Sequence, residues 1–254
     1  PIAGQYRSAA ISAKDITLTS SRLVRADSPL KMGLMGAAGL GALAMAAGFF
    51  VDKERAWHAY LVAYLFFTTM AMGGLFFTAI QHISNAGWSV NIRRLCESFT
   101  AFIPLVFVFG LPIVLFAGSD LFLWLDHEVV SHDKILMGKS GYLNQVFFGV
   151  RFVAFAGLWY FFSRKIVGFS ISQDADGDEK WTVKAAKWSV IFLLFFAISF
   201  SLFSVDFLMS LEPHWFSTIF GIYVFAGMFQ SFLALVILLC LHVMNRGWAK
   251  GLVT

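Results

Sequence analysis

Six runs of apolar residues dominate this chain: 32–51, 56–83, 99–117, 143–162, 188–209 and 215–244. A helix needs about 20 residues to cross a hydrocarbon core. Lipid offers no partner to a backbone N–H or C=O, so runs of this kind fold as helices. The expected fold class is therefore all-α: a polytopic transmembrane helix bundle of six spans. Composition agrees, with 59% hydrophobic and only 13% charged residues, where a soluble domain carries roughly a quarter charged. Residues 1–30 read as a cytoplasmic N-terminal arm, 31–245 as the bundle and 246–254 as a cytoplasmic tail. No signal peptide is evident in the polar arm, so the first span is expected to serve as the insertion signal.

Orientation follows from the lysines and arginines. Five lie in or at the edge of the arm, two in the 2–3 loop, five in the 4–5 loop and two in the tail, fourteen on one side. The other side has four (Lys53, Arg55, Lys134 and Lys139), and Arg151 lies within a span. The positive-inside rule then places both ends in the cytoplasm.

The spans differ in character. Span 1 is rich in small residues (Gly33, Gly36, Gly39, Gly41, Gly48), which let helix backbones approach closely, so burial among other helices is expected. Span 2 carries Tyr60, Tyr64, Thr68, Thr78 and His82 near one face, interrupted at Met72–Gly74. Span 3 contains Pro104 and Pro112, where kinks are expected. Spans 5 and 6 meet in a short connector holding Glu212, Pro213, His214 and Trp215. Residues 118–142 and 163–187 read as long loops. The leading L-F-L-W-L of the first could lie in the membrane interface, and the second holds a solvated acidic turn, Q-D-A-D-G-D-E-K. That turn lacks the spacing and terminal Glu of an EF-hand.

Ionisable residues inside a membrane are costly and pair with one another or face a cavity. Arg151 in span 4 and Asp206 near the end of span 5 belong to the outer half and are expected to pair. That pair is either a salt bridge fixing helix register or part of a proton- or quinone-linked cluster. His82 and Glu97 lie at the inner mouth, as a satisfied polar patch or a point of proton uptake. His58, Tyr64 and His214 complete the candidates for a proton pathway. The histidines sit at opposite ends of spans or at the membrane edge, which disfavours an intramembrane haem. Cys96 and Cys240 are isolated, in no metal-binding spacing. No zinc site, phosphate loop, Ser-His-Asp arrangement or nucleic-acid surface is evident.

Three blocks carry a resemblance: G-G-L-F-F-T-A-I-Q-H-I-S-N-A-G-W-S-V-N-I-R-R-L-C-E (73–97), H-D-K-I-L-M-G-K-S-G-Y-L-N-Q-V-F-F-G-V-R (132–151) and S-V-D-F-L-M-S-L-E-P-H-W-F-S-T-I-F-G-I-Y-V-F-A-G (204–227). In order and content they resemble the NrfD-like membrane subunits of alternative complex III, more the second such subunit (ActF) than its quinol-binding sibling. The resemblance implies a bacterial inner-membrane subunit of a complex that oxidises quinol and passes electrons to a periplasmic carrier or a terminal oxidase. It implies c-type haems and iron–sulfur clusters in partner subunits: a sibling NrfD-like subunit, an iron–sulfur subunit and multihaem c-type subunits. It also implies further spans after the sixth. On this reading His82, Glu97, Arg151 and Asp206 are candidates for a proton half-pathway. A purely structural membrane anchor and a secondary transporter are the alternatives, the latter disfavoured by the absence of internal repeats.

Overall fold

The computed structural model of the protein describes residues 29–245. Residues 1–28 of the expected arm and the expected tail, 246–254, lie outside that range. Among the described residues there is no strand, and six helices are long and apolar enough to cross a membrane, which makes this a multi-pass membrane protein.

The chain divides into two units. The described part of the first is α1 (Pro29–Val51), whose large apolar side chains Met32, Leu34, Leu40 and Leu43 are exposed, as side chains facing lipid or another chain would be. The second unit comprises α2 (Lys53–Ile83), α3 (Val90–Ser98), α4 (Ile103–Phe116), α5 (His127–His132), α6 (Lys134–Lys139), α7 (Gln145–Asp176), α8 (Lys180–Phe207) and α9 (Phe220–Asn245).

Helix α2 is the hub of this unit and packs against α8, α9, α4 and α3. Its most apolar window is 67% buried, against 17% for α9. Asp52 starts α2 by accepting a hydrogen bond from the Arg55 amide at 3.0 Å, satisfying one of the free donors of the first turn. Close approach on the far half depends on glycine. A Cβ on Gly73 would stand 2.6 Å from the Phe232 Cβ, and one on Gly74 would stand 2.7 Å from the Cys96 carbonyl oxygen. Aromatic rings fill much of the remaining core, with Phe203 and Phe207 at 4.6 Å and Phe148 and Phe207 at 5.1 Å between centroids.

Four details bear on the sequence expectation. Residues 163–187 are helical except around Gly177, because the stretch has no proline and α7 and α8 hold each other throughout. Gly177 ends α7 with φ at +70°, a left-handed turn that glycine adopts without a Cβ penalty. The last helix begins at Phe220 rather than Trp215; the intervening chain turns, and the Trp215 ring packs edge-on against Phe220 at 5.5 Å. In the L-F-L-W-L segment, Phe122 and Trp124 are buried beside Phe148, so the segment packs onto the bundle. Span 3 begins earlier, as α3, and passes through a 3-10 turn at Phe99–Phe102 into α4 just before Pro104.

Substituting Gly74→Ala is expected to cost about 1–3 kcal/mol through overpacking against backbone that cannot rotate away. Gly168→Ala, which has nothing within 4 Å, should be neutral or slightly stabilising. Thermal unfolding of the two variants in detergent checks the difference.

Candidate functional site

Buried ionisable side chains inside the second unit gather at two levels, with the Trp159 indole donating to the Ser199 hydroxyl between them at 2.9 Å. One lies at the end where α2 begins and α8 finishes, here the connector end. The other lies where α2 finishes and α7 turns into α8, here the hairpin end.

At the connector end, Arg151 stands in the second turn of α7 and Asp206 in the last turn of α8. Arg151 Nε donates to Asp206 Oδ2 at 2.8 Å and Nη2 donates to Oδ1 at 2.9 Å, a two-pronged pair with side chains only 6% and 2% exposed. Asn144 caps α7 through the Phe147 amide and fixes the preceding turn, which presents the Tyr142 carbonyl to Arg151 Nη1 at 3.0 Å. The Tyr142 and Phe147 rings lie 3.8 and 4.4 Å from the guanidinium carbon, within cation–π range. The Tyr142 hydroxyl approaches Asp206 without forming a well-aligned hydrogen bond. The pair expected from the sequence is therefore present, and it is more completely satisfied than a bare ion pair.

Two contacts tie the connectors above it. His214 Nε2 lies 2.5 Å from Asp133 Oδ2, and Lys139 Nζ donates to the Pro213 carbonyl at 2.6 Å. Partial desolvation raises the Asp133 carboxyl, but hydrogen bonds from the Leu136 and Ile135 amides and from His214 outweigh it and hold the group below the usual aspartate range. A groove of about 350 Å³ runs beside the pair, lined by Lys139, Tyr142, Val205, Met209, Trp215 and Phe216. Deeper in the unit, the Tyr64 ring rests 5.6 Å from Phe207, and the Tyr64 and Thr68 hydroxyls, one turn apart, approach without a well-formed bond.

At the hairpin end, His82 is 2% exposed and neither ring nitrogen has a hydrogen-bond partner. Gln81 Oε1, Arg93 Nε, Glu97 Oε1 and Ser189 Oγ are likewise buried and unpaired. Glu97 accepts from Arg94 Nη1 at 2.5 Å, and Arg94 also bonds the Ser170 carbonyl and the Asp174 carboxylate. Leaving a buried polar atom unpaired costs about 1–3 kcal/mol, and buried water is the usual remedy in a polar interior. The acidic turn is occupied locally: Asp176 accepts from the Trp181 indole, and Asp178 pairs with Lys180 at 2.7 Å.

Between the levels the buried face of α2 is apolar. Thr68 and Thr78 are ten positions apart, about 15 Å along the axis, and Ala71, Met72 and Leu75 between them are fully buried. Thr78 turns its hydroxyl back onto the Gly74 carbonyl at 2.8 Å.

Of the candidates, Tyr64, Arg151 and Asp206 gather toward the connector end and His82 and Glu97 at the hairpin end. His58 joins neither: it is exposed, and its Nδ1 meets the Glu54 carbonyl one turn away at 2.9 Å. His214 ties connectors at the surface rather than entering the bundle. Asp133, Tyr142 and Asp174 were not foreseen. Asp133 carries a legible signal, since it precedes a short helix and accepts from the second and third amides after it. Asp174 was hidden by reading its segment as a loop. Among known proteins, the chain matches no family model and no curated sequence.

Removing one charge of the Arg151–Asp206 pair, as in Arg151→Leu, is expected to destabilise by about 3–5 kcal/mol by stranding a buried carboxylate. The double variant Arg151→Leu/Asp206→Leu should recover most of that loss in a double-mutant cycle read by chemical unfolding. His214→Ala should speed amide exchange over 133–140. Because the Asp133 pKa is lowered in the folded chain, its contribution is full above about pH 4 and fades as pH falls through the lowered value; exchange rates measured across that range check the sign.

Proposed function

We propose that the chain is a membrane subunit of a bacterial respiratory complex that oxidises quinol, with haems c and iron–sulfur clusters in its partners. In this reading the connector end faces the periplasm and the hairpin end the cytoplasm. The chain holds the membrane arm together and provides two proton half-pathways, with electrons passing through the partners to a periplasmic acceptor or terminal oxidase. The observation that carries this is two buried ionisable clusters inside the spans, separated by an apolar segment of α2. Intramembrane ionisable groups mark proton relays and ion routes when they do not merely pair.

The family resemblance supports the same reading. Its second and third blocks, distant in sequence, meet three times: at Arg151–Asp206, at Asp133–His214 and at Lys139–Pro213. The first block supplies His82 and Glu97. In the half-pathway reading, Glu97 and His82 exchange protons with the cytoplasm beside Arg94. Asp206, poised by Arg151 and Tyr142, exchanges them with the periplasm.

In a second reading, favoured by the completeness of the Arg151–Asp206 pair, that pair serves solely to lock α7 against α8. The two readings separate in the purified complex. As proton relays, Glu97→Gln should leave subunit content unchanged, and Glu97→Gln and Asp206→Asn should each slow quinol-driven proton movement per assembled complex roughly tenfold or more, since a positioned acid or base contributes about 10²–10⁴. Altered subunit content with unchanged turnover per complex supports the locking role. Intact assembly with unchanged quinol oxidation and proton movement removes the proton role.

A further inference from the structure

The α7–α8 hairpin is longer than a bilayer is thick. Helix α7 has 32 residues and α8 has 28, about 48 and 42 Å at 1.5 Å per residue, against a hydrocarbon core of about 30 Å. Where the two helices leave the apolar zone, their shared outer face carries a regular stripe. On α7 it reads Phe161, Lys165, Phe169, and on α8, running back, Trp188, Lys184, Trp181. The rows meet: Phe161 packs on Trp188 at 5.6 Å and Phe169 stacks on Trp181 at 5.9 Å. Lys165 Nζ lies 5.8 Å from both the Phe161 and Trp188 rings, and Lys184 Nζ lies 4.4 Å from the Trp181 ring.

Both lysines are exposed, and among the described residues neither forms an ion pair with a carboxylate. Three of the acids at the hairpin tip are engaged elsewhere, Asp176 and Asp178 by Lys180 and Asp174 by Arg94. That leaves Glu179 as the one exposed acid there without a salt bridge among the described residues. Arg164 and Lys187, each exposed and adjacent in sequence to stripe residues, add positive charge and form no salt bridge among the described residues. The level is also informative. Lys165 is 20 positions after the first residue of α7, about 30 Å along the axis, so it stands one hydrocarbon thickness from the opposite end of its helix.

We propose that this face binds the headgroup of an anionic phospholipid. The lysine ammonium groups hold the phosphate, and the tryptophan rings, packed on the phenylalanines, occupy the boundary where headgroup meets acyl chain, the depth that tryptophan favours. The lysine ammonium groups stand near the ring faces, and lysine stems at such a boundary stay in apolar surroundings while the charges reach the headgroups. Basic residues near an anionic membrane surface each favour binding by about 1 kcal/mol, a factor of about five. The site is independent of the quinol reading and would operate in any assembly that contains this hairpin.

Native mass spectrometry of the full protein, in the complex with which it purifies, tests this. After delipidation it is titrated with phosphatidylglycerol or with phosphatidylcholine of the same acyl chains. Retention of phosphatidylglycerol roughly tenfold or more above phosphatidylcholine is expected, as two lysines acting together require. Lys165→Gln/Lys184→Gln should abolish the preference, whereas Lys53→Gln/Lys134→Gln at the opposite end should not. Equal retention of the two lipids, or a preference that survives the first double variant, overturns the site. Loss of a subunit with lipid retention unchanged also overturns it and assigns the face to an acidic protein partner. Should the double variant fail to assemble, the wild type carries the test: its preference must collapse near 1 M salt, where the screening length is about 3 Å, and persistence there overturns the proposal.

Discussion

A guanidinium and a carboxylate, each almost wholly removed from solvent, are the constraint on which the connector end depends. Taken out of water singly, either charge costs several kcal/mol. Together, with the Tyr142 carbonyl and two aromatic faces, Arg151 and Asp206 are compensated. That compensation specifies much else. The last turn of α8 must stand beside the second turn of α7, the Asn144 cap must hold the Tyr142 turn, and Ser210 closes the end of α8 by donating to the Asp206 carbonyl at 2.6 Å. The surface contacts of Asp133 and Lys139 with the α8–α9 connector then fix the chain that would otherwise expose the pair.

The hairpin end follows another logic. Its charges are shared rather than matched: Arg94 alone serves Glu97, Asp174 and the Ser170 carbonyl, and several buried polar atoms around His82 have no partner. The matched Arg151–Asp206 charges resist change, although the Tyr64, Thr68 and Tyr142 hydroxyls near them lack a well-formed bond. The unmatched atoms around His82 instead accommodate water and proton rearrangement at little cost. This contrast between the two ends, rather than the identity of any one residue, underlies the functional proposal.

The spans were legible because hydrophobic run length is a direct consequence of bilayer thickness. The pairing of Arg151 with Asp206 was legible for a similar reason, since stranded opposite charges at similar depth have few other solutions. Less visible was the continuation of α7 and α8 beyond the apolar runs. Lys165, Asp174 and Lys184 lower hydropathy without breaking a helix, and hydropathy alone cannot distinguish a polar helix from a loop. The outward direction of His58 was not legible, because spacing along α2 gives its level but not its direction. Tyr142 contributes a backbone carbonyl as well as a ring, and a backbone carbonyl leaves no mark in sequence.

The apolar stretch of α2 between Thr68 and Thr78 has an electrical consequence. If polar clusters above and below it are wetted in the membrane, the transmembrane voltage falls mainly across this stretch of about 15 Å rather than across the full bilayer. A unit charge carried past Met72 would then sense nearly the whole membrane potential, about 2.3 kcal/mol per 100 mV. In such a geometry a short insulating segment of packed methionine, leucine and glycine determines how strongly the energised membrane opposes or assists the crossing.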